Sequence, residues 1–425
     1  MANGAFDLTR ADEAYRQGNF VEAEALYREA LAQDSASASA LKKLGNIALW
    51  KNDLEDAEKF LKAAQQHQSW LDGLWPMSAP INIHLAQTYA RSGRMRDAAE
   101  LYGRAAGWLP FGPFKELRLR SEQLKLFADE TPYRISGDAD TVIPFEITDP
   151  LPVVRISING AEAANFFIDT GGEGLILDAG FAKQAGAQIV GESSQEYAGG
   201  KQGLTGFGKV ERVELGGIAV NQVPVGTLDL TEISNSIFPG HQIKGILGTG
   251  LLQRFIATLD YRNKRLILRQ PLPNRHAVDL ALHLTESDHE FPIWLVETHL
   301  IFAQGAVNRL PPSLMLIDTG LADGGFLASQ SIMQRAGVDM DWSQVRQGEG
   351  GGGKLKVLNV TIDEVALGND PGAVRNTDIQ GIVFEKDNSL FSGALGFEVG
   401  GLISHQFFRD HALTFDFANM RIILQ

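Results

Sequence analysis

The stretch Phe166-Phe167-Ile168-Asp169-Thr170-Gly171 decides the fold of this chain, because a second version of it, Leu314-Met315-Leu316-Ile317-Asp318-Thr319-Gly320, follows 149 residues later. Each version is an apolar run that predicts a buried strand and ends in an aspartate, a threonine and a glycine. An aspartate at the end of a buried strand costs free energy unless it is hydrogen-bonded, paired or functional. Two copies in the same context therefore predict a functional pair of carboxylates.

The sequence that follows each copy repeats as well. Gly245-Ile246-Leu247-Gly248-Thr249 leads into an apolar strand that ends in Leu259-Asp260-Tyr261, and Gly401-Leu402-Ile403-Ser404-His405 leads into one that ends in Phe415-Asp416-Phe417. These copies lie 156 residues apart. The pattern predicts an internal duplication, with two lobes that each contribute one carboxylate.

An Asp-Thr-Gly after an apolar strand, followed by a glycine-rich hairpin and an apolar-apolar-Gly segment, resembles the aspartic proteases. It is more similar to the bacterial retropepsin-like group than to pepsin. The resemblance covers residues 146–425 and implies a mostly-β, two-lobed, single-chain fold with the activity of an aspartic-type endopeptidase. It also implies that Asp169 and Asp318 form a catalytic dyad, which shares one proton and activates a water to hydrolyse a peptide bond. The rival hypothesis is a catalytically silent peptide-binding adaptor built on the same fold.

The neighbours of the two aspartates are interpreted as supports of the catalytic loops. Thr170 and Thr319 are expected to bond across to the facing loop and to fix the separation of the carboxylates. Gly171 and Gly320 leave room for main chain close to the dyad and permit backbone angles that other residues avoid.

Two features depart from the pattern of the family. Gly172 and Leu321 follow the Asp-Thr-Gly triplets, where the family usually has Ala or Ser. Ser404 occupies the position in the second lobe that Gly248 occupies in the first. We expect the fold to tolerate both changes, and we expect the first to alter the proton affinity of the dyad.

Each lobe contains a glycine-rich hairpin that is a candidate flap over a polypeptide substrate, the alternative being a surface turn. The candidate flap residues are Tyr197, Gly199, Gly200, Gly350 and Gly351. The second hairpin also matches a phosphate-binding loop from Gly348 to Lys354, but Leu355 follows where Ser or Thr is required. Nucleotide binding is therefore not predicted.

Residues 1–128 have the pattern of an all-α tetratricopeptide array. Ala23 and Ala57, like Ala30 and Ala64, lie 34 residues apart, which is the period of these repeats. A third copy follows after a seven-residue insertion, and residues 113–128 are expected to form a capping helix. Such arrays present a concave face to a protein partner. The alternatives are a scaffold that packs against the rest of the chain and an array that drives self-association.

Composition excludes several classes of function. The 425 residues contain no cysteine, which rules out disulfides, thiolate metal sites and cysteine nucleophiles. The formal net charge of -14 argues against nucleic acid as a partner. No apolar run reaches the length of about 18 residues that a membrane span needs. The nine histidines show no ligand-like spacing, so no metal and no cofactor is predicted, and the expected partner is a polypeptide substrate.

The predicted domains are a repeat domain (1–128), a linker (129–145), a first lobe (146–275) and a second lobe (276–425). One short strand is expected at 142–147 in the linker, and one strand over 291–302 opens the second lobe. The turn Asn159-Gly160 predicts a hairpin whose return strand ends at Asp169. The N-terminus lacks the features of a signal peptide. We therefore expect a cytoplasmic protein, or a periplasmic or secreted one if a signal peptide has been removed.

Overall fold

The computed structural model describes residues 8–69, 73–108, 111–196, 202–350, 353–369, 371–385 and 395–425. The chain divides into two compact units. The first contains the residues up to Thr131 together with Leu295–Glu297 and the short segment that ends at Glu398, and the second contains the remainder. Within the described ranges, no helix combines the length and the apolar character that a membrane crossing requires.

The first unit is helical, which confirms the predicted all-α tetratricopeptide array. Its helices are α1 (Thr9–Arg16), α2 (Phe20–Gln33), α3 (Ala38–Trp50), α4 (Leu54–His67), α5 (Ala79–Arg91), α6 (Met95–Ala106) and α7 (Pro113–Lys125). Side chains at their N-termini explain where two of them begin: Asn19 accepts from the N–H of Glu22, and Asp53 accepts from that of Asp56. The predicted capping helix is α7, which ends three residues earlier than expected.

Small residues bring the paired helices together. Ala23, Ala57 and Ala64 are buried, and a Cβ built on Gly45 of α3 would lie 2.6 Å from Cγ of Leu61 on α4. The two helices can approach this closely only because the glycine has no side chain. The alanines and glycines that recur in the sequence are therefore the residues at which the paired helices pack.

The C-terminal segment completes an aromatic cluster within the first unit. Phe397 lies with its ring centroid 5.1 Å from that of Phe20 and 5.6 Å from that of Trp50. The N–H of Glu398 donates to the carbonyl oxygen of Arg16 at 2.7 Å. Phe20, Trp50 and Phe397 are all buried, so this segment is part of the core of the unit.

The second unit is mostly β. Its strands are β1 (Arg134–Gly137), β2 (Asp140–Pro144), β3 (Val153–Ile158), β4 (Ala164–Asp169), β5 (Leu175–Asp178), β6 (Gln188–Glu196), β7 (Gln202–Leu215), β8 (Ile218–Leu228), β9 (Ile243–Gly248), β10 (Ile256–Asp260), β11 (Arg265–Arg269), β12 (His289–Val296), β13 (Leu300–Val307), β14 (Ser313–Asp318), β15 (Phe326–Leu327), β16 (Arg346–Gly350), β17 (Gly353–Leu367), β18 (Val374–Phe384), β19 (Gly401–Ser404), β20 (Ala412–Asp416) and β21 (Arg421–Leu424). Its helices are short: α8 (Ala179–Gln184), α9 (Thr231–Ile237), α10 (Thr249–Leu252), α11 (Arg275–Leu282) and α12 (Gln330–Arg335).

The sheet pairings repeat, as the internal duplication predicts. In the first sheet β9 pairs in parallel with β4 and antiparallel with β5, while β5 pairs in parallel with β8. In the second sheet β19 pairs in parallel with β14 and antiparallel with β15, while β15 pairs in parallel with β18. This mostly-β, two-lobed architecture confirms the predicted fold class.

The two copies meet in the second sheet, where β10 pairs antiparallel with β20. Thr258 and Thr414 face each other in this pairing, and their buried hydroxyl groups lie 2.8 Å apart. The two residues occupy equivalent positions in the duplicated sequence. Each copy therefore contributes the same residue to this contact, as expected where two equivalent strands pair with each other.

Two sequence predictions about strands are wrong. The single strand expected over 291–302 is two strands, β12 and β13, because the chain turns at Glu297 with a φ of +53°. The strand expected at 142–147 lies earlier, as β2 over Asp140–Pro144, where it pairs with β11. A further strand, β1, precedes the predicted range and pairs with β8. The domain boundaries proposed from the sequence stay predictions.

Candidate active site

Asp169 and Asp318 occupy the last positions of β4 and β14. Each strand is fixed by its parallel neighbour, with Asp169 opposite Gly248 and Asp318 opposite Ser404. The duplication therefore delivers one aspartate from each copy to the same place. The two side chains are partly buried, and their carboxyl groups are hydrogen-bonded to each other.

The main chain around the carboxyl groups holds them in position. Gly171 N–H donates to Oδ1 of Asp169 at 2.8 Å, and Gly172 N–H donates to the same atom at 3.2 Å. Gly320 N–H donates to Oδ1 of Asp318 at 2.8 Å. Burial raises the pKa of both carboxyl groups, and the charge of Asp318 raises the pKa of Asp169 further. The two carboxyl groups therefore bind a proton more tightly than isolated aspartates do.

The two threonines bind each other's loops reciprocally. Thr170 N–H donates to Oγ1 of Thr319 at 3.0 Å, and Thr319 N–H donates to Oγ1 of Thr170 at 3.0 Å. Each hydroxyl then donates to a carbonyl oxygen of the opposite strand, that of Ile317 at 2.9 Å and that of Ile168 at 3.3 Å. Both threonines are fully buried, so these bonds compete with no solvent.

The two glycines have no space for a side chain. A Cβ on Gly171 would lie 2.5 Å from Oδ2 of Asp318, and a Cβ on Gly320 would lie 2.4 Å from Cγ of Asp169. Both distances are below any real contact of a methyl group. Each glycine thus allows its main chain to lie against the carboxyl group of the opposite lobe.

We call residues 169–174 the first aspartate loop and residues 318–325 the second. Main-chain donors hold the first aspartate loop in place. The N–H groups of Gly248, Thr249 and Gly250 donate to the carbonyl oxygens of three loop residues at 2.8–3.0 Å. Those acceptors are Gly174, Gly172 and Glu173. A Cβ on Gly248 would lie 2.4 Å from the carbonyl oxygen of Gly174. The glycine of the apolar-apolar-Gly motif is therefore required in this lobe.

The second aspartate loop is held largely by side chains. Ser404 Oγ donates to the carbonyl oxygen of Gly324, and its N–H donates to that of Gly325 at 3.0 Å. The next two residues add bonds to the same loop: His405 Nδ1 to the carbonyl oxygen of Leu321 at 3.1 Å, and Gln406 Nε2 to that of Ala322 at 2.9 Å. Ser404, which departs from the motif, thus uses its side chain to hold the second aspartate loop by a hydrogen bond.

Sequence reasoning did not identify the side chains of His405 and Gln406 as loop ligands, nor did it single out Glu173. Glu173 accepts a hydrogen bond from Thr298 Oγ1 at 2.9 Å, which ties the first aspartate loop to the residue just before β13. Each of these contacts joins residues more than 80 positions apart, so no local pattern signals them. The duplication itself was a signal, because it aligns His405 and Gln406 with Thr249 and Gly250.

The candidate flap residues lie at or after the ends of β6 and β16 in the sequence, and these strands pair antiparallel with β7 and β17. Tyr197, Gly199, Gly200 and Gly351 fall outside the described residues. Gly350 is described, and it pairs with Gly353 at the end of the second hairpin.

Family models match two regions of the chain. A model described as aspartyl protease matches residues 154–251, and a model described as tetratricopeptide repeat matches residues 8–70. No match is found among curated proteins. Among solved structures, a retropepsin-like aspartic protease from Rickettsia conorii matches with 15% identity and a TM-score of 0.24, covering 33% of this chain and 94% of that one. The chain thus contains a region similar to tetratricopeptide repeats, followed by a region similar to aspartyl proteases.

Proposed function

We propose that this chain is an aspartic endopeptidase in which Asp169 and Asp318 act as one catalytic pair. The observation that supports this most directly is the mutual hydrogen bond between the two carboxyl groups at the ends of equivalent strands. Two neighbouring carboxyl groups cannot both ionise cheaply, so the pair titrates as a unit and holds one proton. Such a pair can act as a base and as an acid in the same reaction.

The proposed reaction needs only these two groups and a water. In the resting pair Asp169 carries the shared proton, because burial and the charge of Asp318 both raise its pKa. The carboxylate of Asp318 takes a proton from the water, whose oxygen attacks the carbonyl carbon of the peptide. Asp169 gives its proton to the carbonyl oxygen. The C–N bond then breaks as Asp318 returns a proton to the leaving nitrogen and Asp169 recovers one from the new hydroxyl.

The test is hydrolysis of a diverse peptide library, with products identified by mass spectrometry. Asp169→Asn and Asp318→Asn should each reduce cleavage on the order of 10³-fold or more, because a general acid or base of this kind contributes about 10²- to 10⁴-fold. Their unfolding midpoints should be unchanged or higher, since each substitution relieves like-charge crowding. The matched control is Asp363→Asn, an exposed aspartate on β17, which should cleave like the wild type.

Two results would contradict the proposal. One is near-wild-type cleavage by either dyad variant. The other is a wild type that binds peptides but cleaves none between pH 4 and 8, which would establish the adaptor.

We further propose that the tetratricopeptide region holds a protein partner or a distant segment of the polypeptide substrate. A second binding surface raises the local concentration of a tethered substrate without any change at the cleft. The array of paired helices ahead of the protease region on the same chain supports this. A chain that starts near Asp140 should have a raised KM for a long polypeptide and unchanged cleavage of a short peptide. An equal effect on both substrates would contradict the docking role.

A further inference from the structure

Two buried side chains with unpaired polar atoms are neighbours in the mostly-β unit. Tyr261, at the turn between β10 and β11, is 5% exposed, and His405, which directly follows β19, is 1% exposed. Their ring centroids lie 6.3 Å apart, with the ring planes at 35°. Tyr261 Oη and His405 Nε2 have no hydrogen-bond partner within the described ranges of the chain. Buried polar atoms are normally paired, so a partner is expected at this position.

The protonation of the two side chains makes their unpaired atoms complementary. His405 Nδ1 lies 3.1 Å from the carbonyl oxygen of Leu321, which can only accept, so Nδ1 carries the proton of the ring. Burial lowers the pKa of His405 to about 4, so the imidazole is neutral at pH 7 and its Nε2 is a bare acceptor. Burial raises the pKa of Tyr261 above its ordinary value, so its hydroxyl group keeps its proton. One unpaired atom is therefore a donor and the other an acceptor.

A single water molecule can satisfy both atoms. The two side chains form no direct hydrogen bond, and a water that accepts from the hydroxyl group and donates to Nε2 joins polar atoms separated by more than about 3.5 Å. Buried waters with two or more polar partners are normal parts of protein interiors and are costly to remove. Both atoms lack solvent access, which suits a water enclosed on folding and excludes a larger ligand that must enter from outside.

The charges around the two side chains disfavour a cation between them. Burial is the larger cause of both pKa shifts, and the guanidinium of Arg409 acts on both groups as well. It lowers the pKa of His405 further and opposes the rise in the pKa of Tyr261. Asp149, which forms an ion pair with Arg409, acts on the pKa of His405 in the opposite direction and more weakly. A bound cation would be repelled by Arg409, whereas a neutral water would not.

The duplication shows that the fold does not need the hydroxyl group for packing. Phe417 is the equivalent of Tyr261, 156 residues later, and Thr249 is the equivalent of His405 in the first copy. Phe417 is also buried, and it has the shape of tyrosine without the hydroxyl group. The hydroxyl group is thus present where a histidine supports an aspartate loop and absent where a threonine takes its place. This difference links the hydroxyl group to the second aspartate loop.

We propose that a water molecule is bound inside this unit between Tyr261 Oη and His405 Nε2, and that Tyr261 is thereby a positioning residue for the second aspartate loop. The water fixes the tautomer and the ring orientation in which His405 Nδ1–H donates to the carbonyl oxygen of Leu321. Leu321 directly follows Asp318-Thr319-Gly320, so this bond acts on the loop that carries one carboxyl group of the dyad. The inference rests on the proposed peptidase activity for its kinetic consequence only.

Histidine ¹⁵N NMR of the full-length protein tests the water site without reference to activity. Two-bond ¹⁵N–¹H correlations distinguish a protonated ring nitrogen from a bare one, and the spectrum of His405→Asn identifies the signals of His405. In the wild type we expect the proton on Nδ1. Tyr261→Phe gives this position the side chain of its equivalent, and it should shift the Nε2 resonance or move the proton to Nε2. The matched control is Tyr89→Phe, which removes a hydroxyl group from α5 and should leave the His405 signals unchanged.

Steady-state kinetics on a short peptide measure the consequence for the dyad. Tyr261→Phe should lower kcat about three- to tenfold with little change in KM, because a displaced carboxyl group impairs the chemical step more than substrate binding. In the His405→Asn background the same substitution should have no further effect, since no Nε2 is present for the hydroxyl group to act on. Tyr89→Phe should have the kcat of the wild type. Thermal unfolding checks that each variant is folded.

The results separate this inference from the proposed peptidase. It would be overturned by unaltered His405 signals in Tyr261→Phe, by a wild-type His405 with its proton on Nε2, or by a Tyr261→Phe enzyme with the kcat of the wild type. Equal losses of kcat from Tyr261→Phe in both backgrounds would also overturn it. So would a crystal structure of the wild type with no ordered water within about 3.2 Å of both atoms. If the wild type cleaves no peptide, the peptidase proposal fails, while the NMR signals and the crystal structure still decide the water site.

Discussion

The two aspartate loops share one geometry but are supported by different chemistry. In the first, the N–H groups of residues 248–250 bind the carbonyl oxygens of the loop. In the second, the side chains of Ser404, His405 and Gln406 provide three of the bonds. Both arrangements leave an aspartate at the end of a buried strand beside a reciprocally bonded threonine.

Loop length explains the difference. Three residues, 172–174, separate the first Asp-Thr-Gly from β5, whereas five, 321–325, separate the second from β15. The short loop lies so close to residue 248 that a Cβ there would contact the carbonyl oxygens of Gly172 and Gly174 at 2.5 and 2.4 Å. The longer loop accommodates the side chain of Ser404, and main-chain carbonyls beyond the reach of a backbone N–H are bound by side chains. The glycine of the motif is thus a requirement of the short loop rather than of the fold.

The largest effect is expected where the two lobes do not differ. Gly171→Ala and Gly320→Ala each place a methyl group against the opposite carboxyl group, so cleavage should fall about 10²-fold or more through misplacement of the dyad. The control is Gly174→Ala, because a Cβ there meets nothing within 4 Å. Steady-state kinetics on one peptide substrate measures all three. A loss confined to one of the two variants would show that the dyad is not symmetric.

The second prediction addresses the loops themselves by placing alanine at both equivalent positions. Gly248→Ala should destabilise the fold by about 3 kcal/mol, because the new methyl group overlaps two main-chain carbonyls. Ser404→Ala keeps the Cβ and loses two hydrogen bonds of the hydroxyl, the one donated to the carbonyl oxygen of Gly324 and the one accepted from the N–H of Gln406 at 3.3 Å, which together are worth about 1–2 kcal/mol. Denaturant unfolding measures both. Equal costs would mean that loop length does not explain the departure from the motif.

The sequence predicts the symmetric parts of this molecule better than the asymmetric ones. The paired Asp-Thr-Gly strands, the turn at Asn159-Gly160 and the alanine frame of the repeats carry local signals, and each of these elements is present in the structure. The turn at Glu297 was missed because the polar residues Glu297-Thr298-His299 that form it include no glycine or proline. The side-chain ligands of the second aspartate loop were missed because His405 and Leu321 are 84 positions apart.

Of the two aspartate loops, only the second is expected to make the free energy of unfolding depend on pH through a residue that supports it. His405 is 1% exposed, and burial lowers its pKa from 6.5 to about 4. As the pH falls from 6.5 towards 4, His405 binds a proton in the unfolded chain but stays neutral in the folded chain. The stability present above pH 6.5 is therefore progressively lost. The loss attributable to this group reaches at most about 3 kcal/mol. The equivalent residue of the first lobe, Thr249, does not titrate.

His405→Asn tests this, because the asparagine Nδ2 can still donate to the carbonyl oxygen of Leu321 and cannot titrate. The variant should be less sensitive to acid than the wild type when unfolding free energies at pH 7 and pH 4.5 are compared. His84, whose pKa burial also lowers to about 4, remains in both proteins and provides the same background. If both proteins lost the same unfolding free energy between pH 7 and pH 4.5, His405 would not be a source of the acid sensitivity.

The smallest effect is expected at Thr258 and Thr414, where the copies meet and have stayed identical. Each single change to valine leaves one buried hydroxyl without its partner and should cost about 1 kcal/mol. Thr258→Val should cost slightly more, because Thr258 also accepts a hydrogen bond from Arg269 Nη1 at 3.5 Å. The double variant replaces both partners with apolar groups of similar shape, so its cost should be well below the sum of the two. A double-mutant cycle by denaturant unfolding measures this coupling. Additive costs would mean that the hydroxyl pair contributes nothing at the meeting point of the copies, and that the symmetry of the sheet depends on its main-chain pairing alone.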